Sequence, residues 1–120
     1  MKKVMIVEDE LIIQMVTKQV VQEAGFTVCA VTATGEEAID LAKECNPDVI
    51  LMDIKLEGDL DGIDAMNKIR EFSDVPVIYV TGNSDSYHKK RAAETKMFGF
   101  LVKPVDFGEL INTIKKCCGI

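Results

Sequence analysis

Five short apolar runs recur along the chain: KKVMIV at 2–7, FTVCAV at 26–31, DVILM at 48–52, VPVIYV at 75–80 and FGFLV at 98–102. Each is continuous rather than alternating, the pattern of strands whose two faces are both buried in a parallel sheet. Helically patterned segments separate them, and regular strand–helix alternation gives an α/β fold with helices on both faces of the sheet.

The first helical segment, 11–24, spaces Ile12, Met15, Val16, Val20 and Ala24 as an apolar stripe and stops at Gly25. Thr34 and Glu37 make a T-x-x-E capping box for a second helix whose apolar face holds Ala38, Leu41, Ala42 and Cys45; Asn46-Pro47 ends it. A third helix begins near Gly62 with Met66 and Ile69 on one side. The fourth, 84–97, has a weak stripe of Tyr87, Ala92 and Ala93. The last opens at Asp106, with Glu109 three positions on, and aligns Phe107, Leu110, Ile111, Ile114 and Cys117.

At 120 residues without a linker, repeat or low-complexity tract, the chain reads as one domain, 1–120. A net charge of −6 argues against phosphate-backbone binding, so no direct nucleic-acid partner is expected. No apolar run approaches the ~18 residues of a membrane span, and MKKVMIVEDE turns acidic too soon for a secretory leader. The expected location is the cytoplasm, away from the membrane. Cys29, Cys45, Cys117 and Cys118 lack C-x-x-C spacing and have only His88 to complete a metal site. They read as reduced thiols, Cys29 and Cys45 serving as small hydrophobes and the Cys117-Cys118 pair exposed to oxidation.

In such sheets the ligand crevice lies at the carboxyl ends of the strands. Those ends carry Glu8 and Asp9 after the first run, Asp53 after the third, Thr81 after the fourth and Lys103 after the fifth. Each alone is ordinary, a first-turn acid or a solvated charge, but together they make a constellation. Three carboxylates in one pocket repel one another unless a cation sits among them, and hard oxygen ligands suit Mg²⁺. An ionised Asp53 is a nucleophile able to carry a phosphoryl group, with Lys103 and the Thr81 hydroxyl placed to balance the charge on its oxygens.

The blocks IVEDE, VILMDI, YVTG and LVKP, in this order and spacing, resemble the receiver domain of two-component response regulators, and the chain is similar to single-domain chemotaxis-type regulators. The resemblance spans essentially the whole chain and implies a flavodoxin-like sheet of order 2-1-3-4-5. It implies that Asp53 is phosphorylated by a sensor histidine kinase or phosphotransfer protein. Glu8, Asp9, Asp53 and the backbone carbonyl of Lys55 would hold Mg²⁺ or another divalent cation such as Mn²⁺. Thr81 matches the switch hydroxyl, Lys103 its charge partner and Phe100 the switch aromatic; the Lys103-Pro104 bond matches one commonly cis. A downstream protein would dock on the face of helix four, strand five and helix five, and a phosphorylation-dependent homodimer would be a further outcome.

The chain departs from the common pattern in three places. The stretch after Asp53, DIKLEGDLDG, is one residue longer than the usual form, lacks its proline and adds Glu57, Asp59 and Asp61, which either build a turn or select a partner. Phe100 replaces a more frequent tyrosine. Asn83, two residues past Thr81, borders the pocket and is a candidate to orient water in dephosphorylation, whereas His88, on the exposed side of helix four, has no assigned role. Two competing functions are weighed. An aspartyl-nucleophile phosphatase needs a general acid two residues after Asp53, where Lys55 stands, and a phosphate-independent interaction module would be expected to lose one of the five groups. The reading is of a phosphoacceptor that assists its own transfer and dephosphorylation, not a turnover enzyme, with no output domain in this chain.

Overall fold

The five runs become the five strands of one sheet in the computed structural model, which describes residues 2–120. The elements are β1 (Lys3–Val7), α1 (Leu11–Glu23), β2 (Thr27–Thr32), α2 (Gly35–Cys45), β3 (Val49–Met52), α3 (Gly62–Ile69), β4 (Val77–Thr81), α4 (Ser86–Ala93), β5 (Gly99–Val102) and α5 (Phe107–Cys117). Strand order is β2-β1-β3-β4-β5, every pair parallel. The direction of winding reverses between β1 and β3, so their carboxyl ends open a crevice.

Pleating divides the core in two. Val4, Ile6, Val49, Leu51 and Ile78 point to one face and pack with Val21 of α1 and Leu110 and Ile114 of α5. Their neighbours Met5, Val7, Ile50, Met52, Val77 and Tyr79 point to the other, against Ala38 and Ala42 of α2, Ile63, Met66 and Ile69 of α3 and Ala92 of α4. With both faces covered, β3 is buried at every position, which explains its lack of alternation. The Thr34 side chain accepts from the Glu37 amide at the start of α2, and Asp106 does the same for Glu109 at α5.

The structure corrects five expectations. The α1 stripe is rotated: Thr17 and Val21 face the sheet, while Ile12, Met15 and Val16 are exposed. Residues 11–24 are apolar on two sides, and the i, i+4 pair Thr17 and Val21 took the core. Helix α4 is shorter than 84–97 and, of its described residues, buries only Ala92. His88 lies on the inner side of α4, three-quarters buried, with Nδ1 2.6 Å from its N-cap Asp85. Finally, Cys29 and Cys45 are joined as a disulfide rather than standing as separate thiols. The end of α2 returns beside the edge strand β2 and brings their Cα atoms to 6.1 Å, within the range a disulfide spans. Cys117 and Cys118 remain free and are half-buried rather than exposed; burial pushes the Cys117 thiol up to about 11. No helix among the described residues is long and apolar enough to cross a membrane.

Candidate functional site

Four of the five strand ends deliver a group to the crevice. The β1 ladder continues past its last residue through the Glu8 amide to the Thr32 carbonyl (2.9 Å), and the Asp53 amide continues β3 through the Val7 carbonyl (3.0 Å). The two acids are therefore fixed by sheet register and lie side by side. The Lys103 amide reaches the Thr81 carbonyl at 3.0 Å across the β4–β5 edge, and the next peptide bond, Lys103-Pro104, is cis.

Lys103 Nζ donates to Glu8 Oε1 at 2.6 Å and to Asp53 Oδ2 at 2.8 Å, with Glu10 Oε1 3.9 Å away. Glu8 and Asp53 are buried, and Lys103 nearly so. Burial works against the Lys103 ammonium, but its bonds to Asp53 and Glu8 outweigh that and hold its pKa above the ordinary lysine value. Burial pushes the Glu8 carboxyl up to about 7; its hydrogen bond from Lys103 opposes the rise and the charge of Asp53 adds to it. One cation is thus shared between two buried acids that repel each other.

The oxygens of the two acids are not equivalent. Glu8 uses both, Oε1 for Lys103 and Oε2 for the Glu10 amide at 3.1 Å. Asp53 Oδ1 is buried and, among the described residues, has no hydrogen-bond partner. A buried carboxylate oxygen left bare is costly unless a ligand completes it. Asp53 also lines a cavity of about 360 Å³ with Asp9, Glu10, Lys55, Gly82, Asn83 and Lys103. One carboxylate oxygen each from Glu8, Asp9 and Glu10 lies within 4.8 Å of the others. The donor set is all oxygen and acidic, with one bare buried ligand atom, and it fits a hard divalent cation.

Of the residues singled out in the sequence, Asp9, Asp53, Lys55 and Lys103 line one cavity and Glu8 joins them through its bond from Lys103; Glu10 was missed. Only adjacency to the acidic pair marked that residue. Thr81 is fully buried at the same edge, but its hydroxyl is occupied by Asn83, accepting from the backbone amide at 3.1 Å and lying 3.4 Å from Oδ1. Phe100 is half-buried, its ring centre 6.1 Å from that of Tyr79 and capped by Lys89 Nζ at 5.9 Å.

The long acidic loop is built in rather than free. Glu57 pairs with Thr34 in an isolated parallel bridge, and Glu36 of α2 accepts from the Leu60 amide at 3.3 Å. Gly58 turns the chain at φ +91°, a conformation that disfavours a side chain. Asp61 and Asp64 cap α3 reciprocally at 2.8 and 3.1 Å. Gly62 then packs so closely on the Asp53 carbonyl that a Cβ would collide with it, while its amide donates to Ile54 at 2.7 Å.

Residues 4–115 match the model of the response regulator receiver domain family. The chain is 32% identical over 114 residues to the transcriptional regulatory protein PdtaR of Mycobacterium tuberculosis, covering 95% of this chain and 55% of that protein. It therefore spans about half the length of that relative. It is also 32% identical over 121 residues to the polar-differentiation response regulator DivK of Brucella ovis, covering 98% of this chain and 97% of that one. The solved structure of a CheY-like receiver domain protein from Methanospirillum hungatei superposes with a TM-score of 0.91 at 26% identity, covering 97% of this chain and 92% of that one.

Proposed function

The chain belongs to the response regulator receiver domain family of two-component signalling, and on that premise we propose that it takes a phosphoryl group from a phosphohistidine onto Asp53 and changes conformation in response. The observation that carries this reading is Asp53, whose Oδ1 is left without a partner among the described residues and which lines one cavity with Asp9, Glu10 and Lys103. In the step itself Oδ1 attacks phosphorus and the P–N bond breaks. Its electron pair remains on the imidazole nitrogen, which then takes a proton from solvent. Lys103, already bonded to Asp53 Oδ2, stays beside the charge passed to the phosphoryl oxygens. Mg²⁺ or Mn²⁺, held by Glu8, Asp9, Asp53 and the Lys55 carbonyl, would supply positive charge to the transferring group; Glu10 stands close enough to assist. Thr81 would leave Asn83 for a phosphoryl oxygen, and Phe100 would move with it, altering the face of α4, β5 and α5 for a downstream protein or a second copy.

The test is direct. Incubation with acetyl phosphate and Mg²⁺ should add the mass of one phosphoryl group, and chelation of the metal should prevent it; no added mass with metal present would sink the reading. The alternative of a turnover phosphatase finds no support in the position two residues after Asp53, where Lys55 projects an exposed ammonium rather than an acid. We place the protein in the cytoplasm.

Docking of the donor has its own signature. Leu11, Ile12, Met15 and Val16 are 66, 77, 61 and 40% exposed and form a stripe on α1 that begins one residue after Glu10 at the cavity rim. Beside it runs a groove of about 210 Å³ lined by Ile13, Lys103, Pro104, Val105 and Phe107. A contiguous apolar patch at the mouth of a site marks an interface, and the phosphohistidine protein is its proposed occupant. The pair of substitutions Ile12→Glu and Met15→Lys should slow transfer from that protein by at least about tenfold, the scale of losing an interface anchor. Labelling by acetyl phosphate should not change. Equal slowing of both reactions would place the defect in the site instead.

A further inference from the structure

Helix α4 is fastened to the domain in an unusual way. It buries only Ala92 among its residues, too little apolar surface to fix a helix of eight residues. Polar contacts do the fixing, at two points. Near its C-terminal end the Thr95 hydroxyl lies 2.7 Å from the buried Tyr79 hydroxyl and 2.6 Å from the Ala92 carbonyl. Arg70 Nε, following α3, donates to the Thr95 carbonyl at 2.8 Å. This end is tied to the sheet interior.

The second fastening leads elsewhere. Arg91, 24% exposed, donates to Asp61 Oδ2 at 2.8 Å and to Asp64 Oδ1 at 3.0 Å, with a longer bond to Asp61 Oδ1 at 3.4 Å. Tyr87, one turn earlier, lies with its ring 5.5 Å from the guanidinium and covers it. The two carboxylates are the reciprocal caps of α3, and Gly62, which follows Asp61, is bonded to Ile54 and packed on the Asp53 carbonyl. A continuous path of short contacts thus runs from the phosphoacceptor, through the N-terminus of α3, to the last turn of α4. The neighbouring cations Lys89, Lys90 and Lys96 are exposed and have no ion pair among the described residues. Of the α4 cations, Arg91 alone is built into the fold, and a planar fork holding two carboxylates fixes direction as well as distance.

We propose that Arg91 is a positioning residue whose clamp on Asp61 and Asp64 couples the Asp53 loop to α4. When that loop shifts, the last turn of α4 is drawn with it, while Thr95, about one turn further on, stays tied to the sheet interior. The proposal rests on the phosphoacceptor reading and adds a second mechanical link to α4 beside that of Thr81 and Phe100.

Hydrogen exchange of the intact protein, with and without beryllium trifluoride and Mg²⁺ as a phosphoryl mimic, tests it. In the wild type the mimic should change exchange in residues 86–92 more than in α5. In Arg91→Ala, resting exchange of residues 86–92 should rise about tenfold, the scale of losing a charge-assisted clamp on a marginal helix, and the response to the mimic should fall by at least about half. Asp61→Asn with Asp64→Asn should do the same, because asparagine keeps the N-cap but not the ion pair. Adding Arg91→Ala to that pair should have no further effect, and Arg91→Lys should restore part of the response. A bound fluorine resonance with an α4 response undiminished in Arg91→Ala, or with no response in the wild type, would overturn the coupling. Absence of any bound resonance would instead overturn the phosphoacceptor reading beneath it.

Discussion

Asp53→Asn should accept no phosphoryl group from acetyl phosphate or from a phosphohistidine protein, a loss of at least about 10³-fold, since the substitution removes the nucleophile itself. Which acid reacts follows from the occupancy of the oxygens. Glu8 and Asp53 are both buried and both bonded to Lys103, so charge and burial do not separate them. Hydrogen bonding does: each oxygen of Glu8 has a partner, and Asp53 Oδ1 has none among the described residues. Glu8→Gln should therefore slow labelling yet leave its position on Asp53, as peptide mass mapping would show. An asparagine side chain keeps the shape of the strand end and removes one of two repelling charges, so Asp53→Asn should fold at least as well as the wild type. Undiminished labelling of this variant would mean that another carboxylate is the acceptor.

The fold was readable because β3 and its neighbours are apolar without alternation, which only a sheet covered on both faces permits, and because strand ends of such a sheet converge. Glu8, Asp53, Thr81 and Lys103 could be located by that rule alone. What stayed hidden depended on choices that one-dimensional pattern leaves degenerate. Helix α1 has two apolar stripes, and nothing in their spacing says that Val21 turns inward while Ile12 and Met15 face out. The weak stripe of α4 was legible as weakness, but not its remedy. Arg91 meets Asp61 and Asp64 from 30 and 27 positions away, across two connections. The same holds for Cys29 and Cys45, whose pairing depends on where the end of α2 comes to rest. In EGDLDG the three acids look alike in sequence, yet Asp61 is a cap held by arginine while Glu57 and Asp59 are exposed.

Lys103→Met should destabilise the metal-free protein by about 3 kcal/mol above neutral pH, because removing one partner of a buried ionic cluster leaves its carboxylates uncompensated. Methionine preserves most of the apolar stem, so the loss reports the charge rather than the packing. Its pH dependence has a definite sign. Glu8 in the folded protein is raised from 4.5 to about 7, so the folded state binds this proton more tightly than the unfolded chain. The stability Glu8 contributes is fully present below about 4.5 and is lost as pH rises through about 7. Without Lys103 the carboxyl is pushed higher still, which steepens that loss. Urea denaturation should therefore show a small deficit near pH 5, where Glu8 is already protonated, and the full deficit near pH 8. Millimolar Mg²⁺ should then recover much of the stability at the higher pH, since a divalent ion among Glu8, Asp9 and Asp53 replaces the missing ammonium. Recovered stability should not bring back rapid labelling, because Lys103 is bonded directly to the attacking carboxylate at 2.8 Å. A deficit that is the same at both pH values, or one that Mg²⁺ leaves untouched, would show that Lys103 supports the fold by packing and that the acidic cluster is not the cation site.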